Sequence, residues 1–249
     1  MISKYYTADV VPTIAASDQH VDAYAIGDVL FKATPFQVPR GIGRLISVFA
    51  QYRGPDGAYN PDPFELVFSR NEIYTAITAN AAAATKNVHF FTEDFPSSSG
   101  TPIVLGSVKI TATNAVKMGA NAPAIVTESC NVVLNTDGVS ANSPAGYDTM
   151  YVSGVTMGAG MDFRNTVNVN SDAGAQGTDQ SNLIVQTVDP RLVFANGDVI
   201  HDEDDRLMGV VKTLSGTTIG MVEDLENAAV DEKKVYCINP MKLRLVFEK

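Results

Sequence analysis

The chain has 249 residues, 45% of them apolar and 18% charged, which is enough for a packed core in one large or two small domains and too apolar for a disordered chain. Its 18 Lys and Arg against 28 Asp and Glu give a formal charge of −10 with no dense basic patch, which argues against direct binding to nucleic acid or to an anionic membrane surface. Cys130 and Cys237 make neither a CxxC site nor a disulfide framework, no apolar run approaches the roughly 20 residues that span a bilayer, and the first six residues lack a signal-peptide core; the expectation is a soluble protein made in a cytoplasm.

In chain order, the first strong strand signal is residues 45–52, where Ile46, Val48, Ala50 and Tyr52 are expected to share one face. Phe64, Leu66 and Phe68 repeat the alternation. The spacing of Ile73, Ala76, Ile77 and Ala81 predicts at most a short helix within residues 71–85. Residues 108–113 read as a half-buried strand with a polar outer face.

From about Asn135 to Asn182 the chain turns rich in Gly, Asn, Ser, Asp and Thr, yet keeps the strand-like runs 150–152 and 166–169. Residues 171–181 read as a mobile loop. Four short runs follow, at 194–200, 207–211, 217–222 and 235–238, and they suit a small barrel. At the end, Leu243, Leu245 and Phe247 point one way, bracketed by Lys242, Arg244 and Glu248. Turn signals separate these runs at Gly27-Asp28, Pro39-Arg40-Gly41, Asp56-Gly57, Asp137-Gly138, Asn196-Gly197 and Ser215-Gly216. Residues 25–30 echo residues 195–200, which reads as two uses of one strand-opening turn.

Reactive chemistry has little footing. His20, His89 and His201 lie far apart, with no paired-His zinc spacing. The acidic run Asp202-Glu203-Asp204-Asp205 offers Asp202 and Asp204 at the alternate spacing of a calcium loop, but the glycine and distal Glu of such a loop are missing, so a solvated hairpin tip is the simpler reading. Gly138-Val139-Ser140-Ala141-Asn142 misses the last glycine of a nucleophile elbow. Gly158-Ala159-Gly160 lacks a third glycine and a following helix, and Glu93-Asp94 is an ordinary surface pair, so no catalytic residue and no cofactor is expected. In a chain without Trp, Tyr52 and Tyr59 are the candidates for a sugar platform, but a core role for Tyr52 and a loop-anchor role for Tyr59 are the simpler readings.

Three stretches carry a family resemblance. Tyr24 followed by Gly27-Asp28-Val29, then Pro39-Arg40-Gly41-Ile42-Gly43 opening a strand, and the closing run from Tyr236 through Asn239-Pro240 to Glu248 are similar to patterns of tailed-bacteriophage virion structural proteins. The resemblance implies a jelly-roll-like antiparallel β-sandwich closed by the C-terminal strand, of the capsid decoration or head-fibre type. Residues 1–130 plus 236–249 would form the sandwich, and residues 131–235 an inserted β-rich domain whose barrel spans about 190–235. The implied partners are a major capsid protein and further copies of the chain, as in a trimer, at the virion surface. Residues 242–248 are the expected edge strand for pairing with a neighbour. A neck, tail or receptor-binding head-fibre component, and a β-sandwich carbohydrate-binding module or cupin-like enzyme, are the rival readings.

Overall fold

The structure, a computed structural model, describes residues 4–19, 24, 26–54, 62–70, 104–117, 123–134, 143–158, 163, 166–170, 176–186 and 189–248. The helix expected within 71–85, His20, His89, Tyr59, Glu93-Asp94, the turns at Asp56 and Asp137 and the near-elbow at Ser140 lie outside the described residues.

Period-two alternation folds the chain into β1 (Tyr5–Val10), β2 (Val29–Pro39), β3 (Arg44–Tyr52), β4 (Phe64–Ser69), β5 (Val104–Ile110), β6 (Val116–Lys117), β7 (Ala124–Val133) and β8 (Tyr147–Thr156). There follow β9 (Thr166–Asn168), β10 (Asn182–Ile184), β11 (Val199–Asp202), β12 (Leu207–Ser215), β13 (Thr218–Met221), β14 (Lys234–Cys237) and β15 (Met241–Glu248). The sole α-helical element among the described residues is one turn, α1 (Ala16–Gln19).

One sheet runs β1-β15-β3-β7-β6 and the facing one β2-β8-β4-β5, with all strand pairs antiparallel. Setting aside the two-residue β6, the eight long strands counted along the chain give the orders 1-8-3-6 and 2-7-4-5, which is the jelly roll. The expected sandwich closed by the C-terminal strand is therefore present. Between the sheets lie Phe36, Leu45, Val48, Tyr52, Phe64, Leu66, Phe68, Val152, Leu245 and Phe247. Phe64 stands edge-on to Tyr52 at 5.2 Å, and Phe36 stacks on Phe247 at 5.9 Å.

Three details depart from simple alternation. A register shift between Val246 and Phe247 in the pairing of β15 with β3 leaves Ile46 as the extra residue of a bulge, while the shift between Leu45 and Ser47 against β7 puts the extra residue on β7. Leu45 thus enters the core, and Ile46, expected inside, is only half-buried. The strand expected over 108–113 stops at Ile110, because the Glu128 carboxylate takes the Thr111 N–H, the Thr111 hydroxyl and the Asn114 amide and holds a 3-10 turn over Ala112–Asn114. On the outer side of the second sheet, Val29, Ala33 and Val67 form a small buried patch beside Tyr151 and Val155, while Ser107 and Lys109 on the same face are exposed.

Gly154 in β8 lies under the ring of buried Phe31, with no room for a methyl group. Gly154→Ala is expected to cost about 1–3 kcal/mol by overpacking, read as a fall in the urea midpoint with unchanged slope.

The remaining strands form the order β10-β13-β12-β11-β14-β9, and the two outer strands meet. A bridge pairs Val169 with Val185, and Asn170 N–H donates to Ile184 O at 3.1 Å while Gln186 N–H donates to Asn168 O at 2.9 Å. The sheet so curls into a small closed barrel, filled by Val167, Leu183, Ile200, Met208, Ile219 and Val235 among others.

Two expectations about layout need correction. β8 pairs with both β2 and β4, so residues 147–156 belong to the sandwich, and the insertion begins after Thr156 instead of at 131. Likewise β9 and β10 are barrel strands, so the barrel begins near 166 and not 190. Within the Gly- and Asn-rich stretch 135–182, the described residues include β8, β9 and the start of β10. The insertion fills the link between the seventh and eighth jelly-roll strands. Finally, β15 is flanked by β1 and β3 and cannot be an edge; β1 occupies that place.

Candidate functional site

The acidic turn after β11 is the first place to look for a cation. Asp202 Oδ1 accepts the N–H groups of Asp204 at 3.0 Å and Arg206 at 2.9 Å, and its Oδ2 accepts the Arg206 guanidinium at 2.6–2.7 Å. Asp204 lies 3.7 Å from the same guanidinium, and Glu203 pairs with Lys233. The weak metal candidates Asp202 and Asp204 do come together, but around arginine: the side chain that would ligate a cation builds the turn, with Asp205 at φ 61° closing it. The Asp202 hydrogen bond and charge hold the Arg206 guanidinium even more firmly protonated than usual. Among the described residues, no cluster of three or more His, Cys, Asp or Glu could hold a metal ion.

The second feature is the joint between sandwich and barrel. Arg53 follows β3 and reaches the turn before β11, where Nη2 donates to both Asp198 oxygens at 2.6–2.7 Å and Nη1 to Val193 O at 2.7 Å. Asp198 is fully buried, and its Oδ2 also accepts the Ala195 N–H at 2.7 Å. Around this pair, Gln19 donates to Ile14 O and Cys237 O, Ile14 N–H to Ile238 O, and Arg53 N–H to Pro240 O. The echo in sequence explains the placement. Gly27 at φ 89° and Gly197 at φ 87° make the same left-handed turn, each presenting a buried Asp at a strand's start. Asp28 binds Thr156 through its backbone, whereas Asp198 spends its carboxylate on Arg53.

Both cysteines are free thiols, and burial pushes Cys130 up to about 11 and Cys237 to about 12. At pH 8 neither is a thiolate to any useful extent. Half-buried Cys130 is expected to react slowly with an aromatic disulfide reagent and buried Cys237 only after denaturant is added, which a two-phase thiol titration checks.

The third feature is the pole of the sandwich opposite the barrel. β8 and β15 meet the insertion at Thr156 and Met241, so their other ends, Tyr147 and Glu248, lie a strand length away, about 25 Å at 3.3 Å per residue. Register places Tyr5, Glu248, Arg44 and Val133 in one cross-strand row. Tyr5 is 65% and Val133 68% exposed, with Tyr147 also exposed. Beside them, Arg40 Nε donates to Asp148 at 3.1 Å and Arg44 Nε to Glu248 at 2.9 Å. Tyr6 in the next row has its phenol pushed up by burial and then by nearby Tyr147. Backbone bonds from Arg40 to Gly146, Gly43 to Glu248 and Leu134 to Gly43 tie the loops there, with Ile42 buried beneath.

Sequence reasoning missed both the joint and the pole. A single arginine after a strand carries no local signal of a partner 145 residues away, and the Asn196-Gly197-Asp198 turn reads as solvated. Tyr52 is fully buried, in the core role expected of it, and so offers no sugar platform. Comparison with family models, with curated proteins and with solved structures finds no match for this chain.

Proposed function

We propose that this chain is a structural protein of a tailed-phage virion, a decoration (cement) protein held on the outer head by protein–protein contact. The observation that supports this most is the interior of the jelly roll. The same architecture serves viral capsid proteins, lectins and cupins, and fold alone does not choose among them. A cupin-like enzyme needs polar ligands converging between its sheets, whereas the inner faces here carry Phe36, Phe64, Leu66, Phe68, Val152, Leu245 and Phe247. Such a core makes a rigid block whose useful chemistry lies on its outside. The cavity beside the acidic turn, about 30 Å³ between Val169, Asp202, Arg206, Met208, Lys233 and Val235, has room for a water or two and not for an organic substrate. The sequence resemblance at both ends of the jelly roll points the same way.

Mass spectrometry of purified particles tests the proposal. The chain is expected in hundreds of copies per particle, released by mild denaturant with the head intact. A dozen copies or fewer would move it to a neck or tail, and absence from particles would end the reading. Binding on a glycan array would favour the carbohydrate-binding alternative.

A further inference from the structure

We infer that the pole built from Tyr5, Arg40, Arg44, Val133 and Tyr147 is the docking surface, that it meets a protein surface bearing carboxylates, and that the barrel faces away from it. This rests on the virion reading for the partner, and on charge and geometry for the orientation.

Charge is segregated along the molecule. Residues 166–237 hold thirteen Asp and Glu against five Lys and Arg, so −8 of the net −10 belongs to the barrel stretch. Among the described residues, the opposite pole has Lys4, Arg40 and Arg44 against the carboxylates of Asp148 and Glu248. The carboxylates are the hidden members: the side chains of Asp148 and Glu248 are 3% and 20% exposed, while those of Arg40 and Arg44 are 46% and 51% exposed. Each guanidinium is held through Nε while its side chain stays about half exposed. A carboxylate-bearing surface would attract this pole and repel the barrel, which orients the encounter before contact.

Composition and rigidity agree with that assignment. Tyr and Arg are the side chains that dominate interface energetics. The exposed row spans four adjacent strands, roughly 15 Å at 4.7–4.9 Å per strand, over a packed row of Phe247, Leu45 and Val132. Little order remains to be imposed on binding. The barrel carries the wrong charge for the same partner.

The test compares particles made with the wild-type chain, with Tyr5→Glu/Val133→Glu, and with Glu223→Lys/Asp224→Lys on the barrel, counting copies per particle. All the altered side chains lie in solvent-exposed turns or at strand ends, and matched melting temperatures confirm folding. The pole variant is expected to fall at least tenfold in occupancy, and the barrel variant to stay within twofold of wild type. Rising salt from 0.1 to 1 M is expected to release the wild-type chain, and Arg44→Gln to release at lower salt. Loss of the barrel variant alone, of both variants or of neither overturns the pole; release insensitive to salt overturns the carboxylate partner. A wild-type chain missing from particles defeats the virion reading instead.

Discussion

Arg53→Met is expected to lower folding stability by about 3–5 kcal/mol, the range for removing one partner of a buried ion pair. The cause is what the substitution leaves behind. Asp198 is fully buried, and its carboxylate draws on Arg53 Nη2 through both oxygens. Without the guanidinium it keeps the Ala195 N–H and the neighbouring Cys237 thiol, and Val193 O loses its Arg53 donor as well. A charge buried with so little compensation either unfolds its surroundings or takes up a proton. Because the pair joins β3 to the turn ahead of β11, the damage is expected to fall on the joint. Urea unfolding should split, with the barrel and sandwich losing their cooperativity, as followed by circular dichroism and calorimetry. Arg53→Met/Asp198→Leu is expected to recover much of the loss, since two apolar side chains remove the buried charge and leave only the neutral Ala195 N–H and Val193 O without these partners. A single variant within about 1 kcal/mol of wild type would show that the joint is not a stabilising element.

Leu245→Pro is expected to abolish folding of the sandwich. Leu245 is fully buried in β15, with Ala8 of β1 on one side and Val48 of β3 on the other. Proline removes a ladder N–H and places its ring where a neighbouring strand must lie, and it is tolerated in sheets essentially at edges and bulges. Had residues 242–248 formed an edge, the cost would be modest. In the middle of the sheet the substitution separates β1 from β3, and the large apolar surface beneath loses its cover. Recovery of the variant in the soluble fraction with a native-like melting transition would contradict the strand order described here.

How much could be read from the residues alone follows from the range of the interactions. Alternation at Phe64, Leu66 and Phe68, and at Leu243, Leu245 and Phe247, is written into neighbouring positions, so strand type and inward face were legible. Even there Ile46 misled, because a bulge is a property of two strands in register and not of one. Turn chemistry at Gly41, Gly197 and Gly216 was equally local, since each needs positive φ. The acidic turn was located correctly, but its chemistry depended on Arg206 folding back onto Asp202.

By itself, then, the sequence determined an all-β chain, its strands and turns, a filled apolar interior and an acidic balance concentrated in one stretch. Only the tertiary structure decided which strand is central, where the insertion begins, that Arg53 and Asp198 meet across 145 residues, and that Tyr5, Arg44 and Val133 share a row. The reason is physical: burial preference acts residue by residue, whereas strand order, register and charge pairing are fixed by which distant surfaces close the core with the fewest unpaired polar groups.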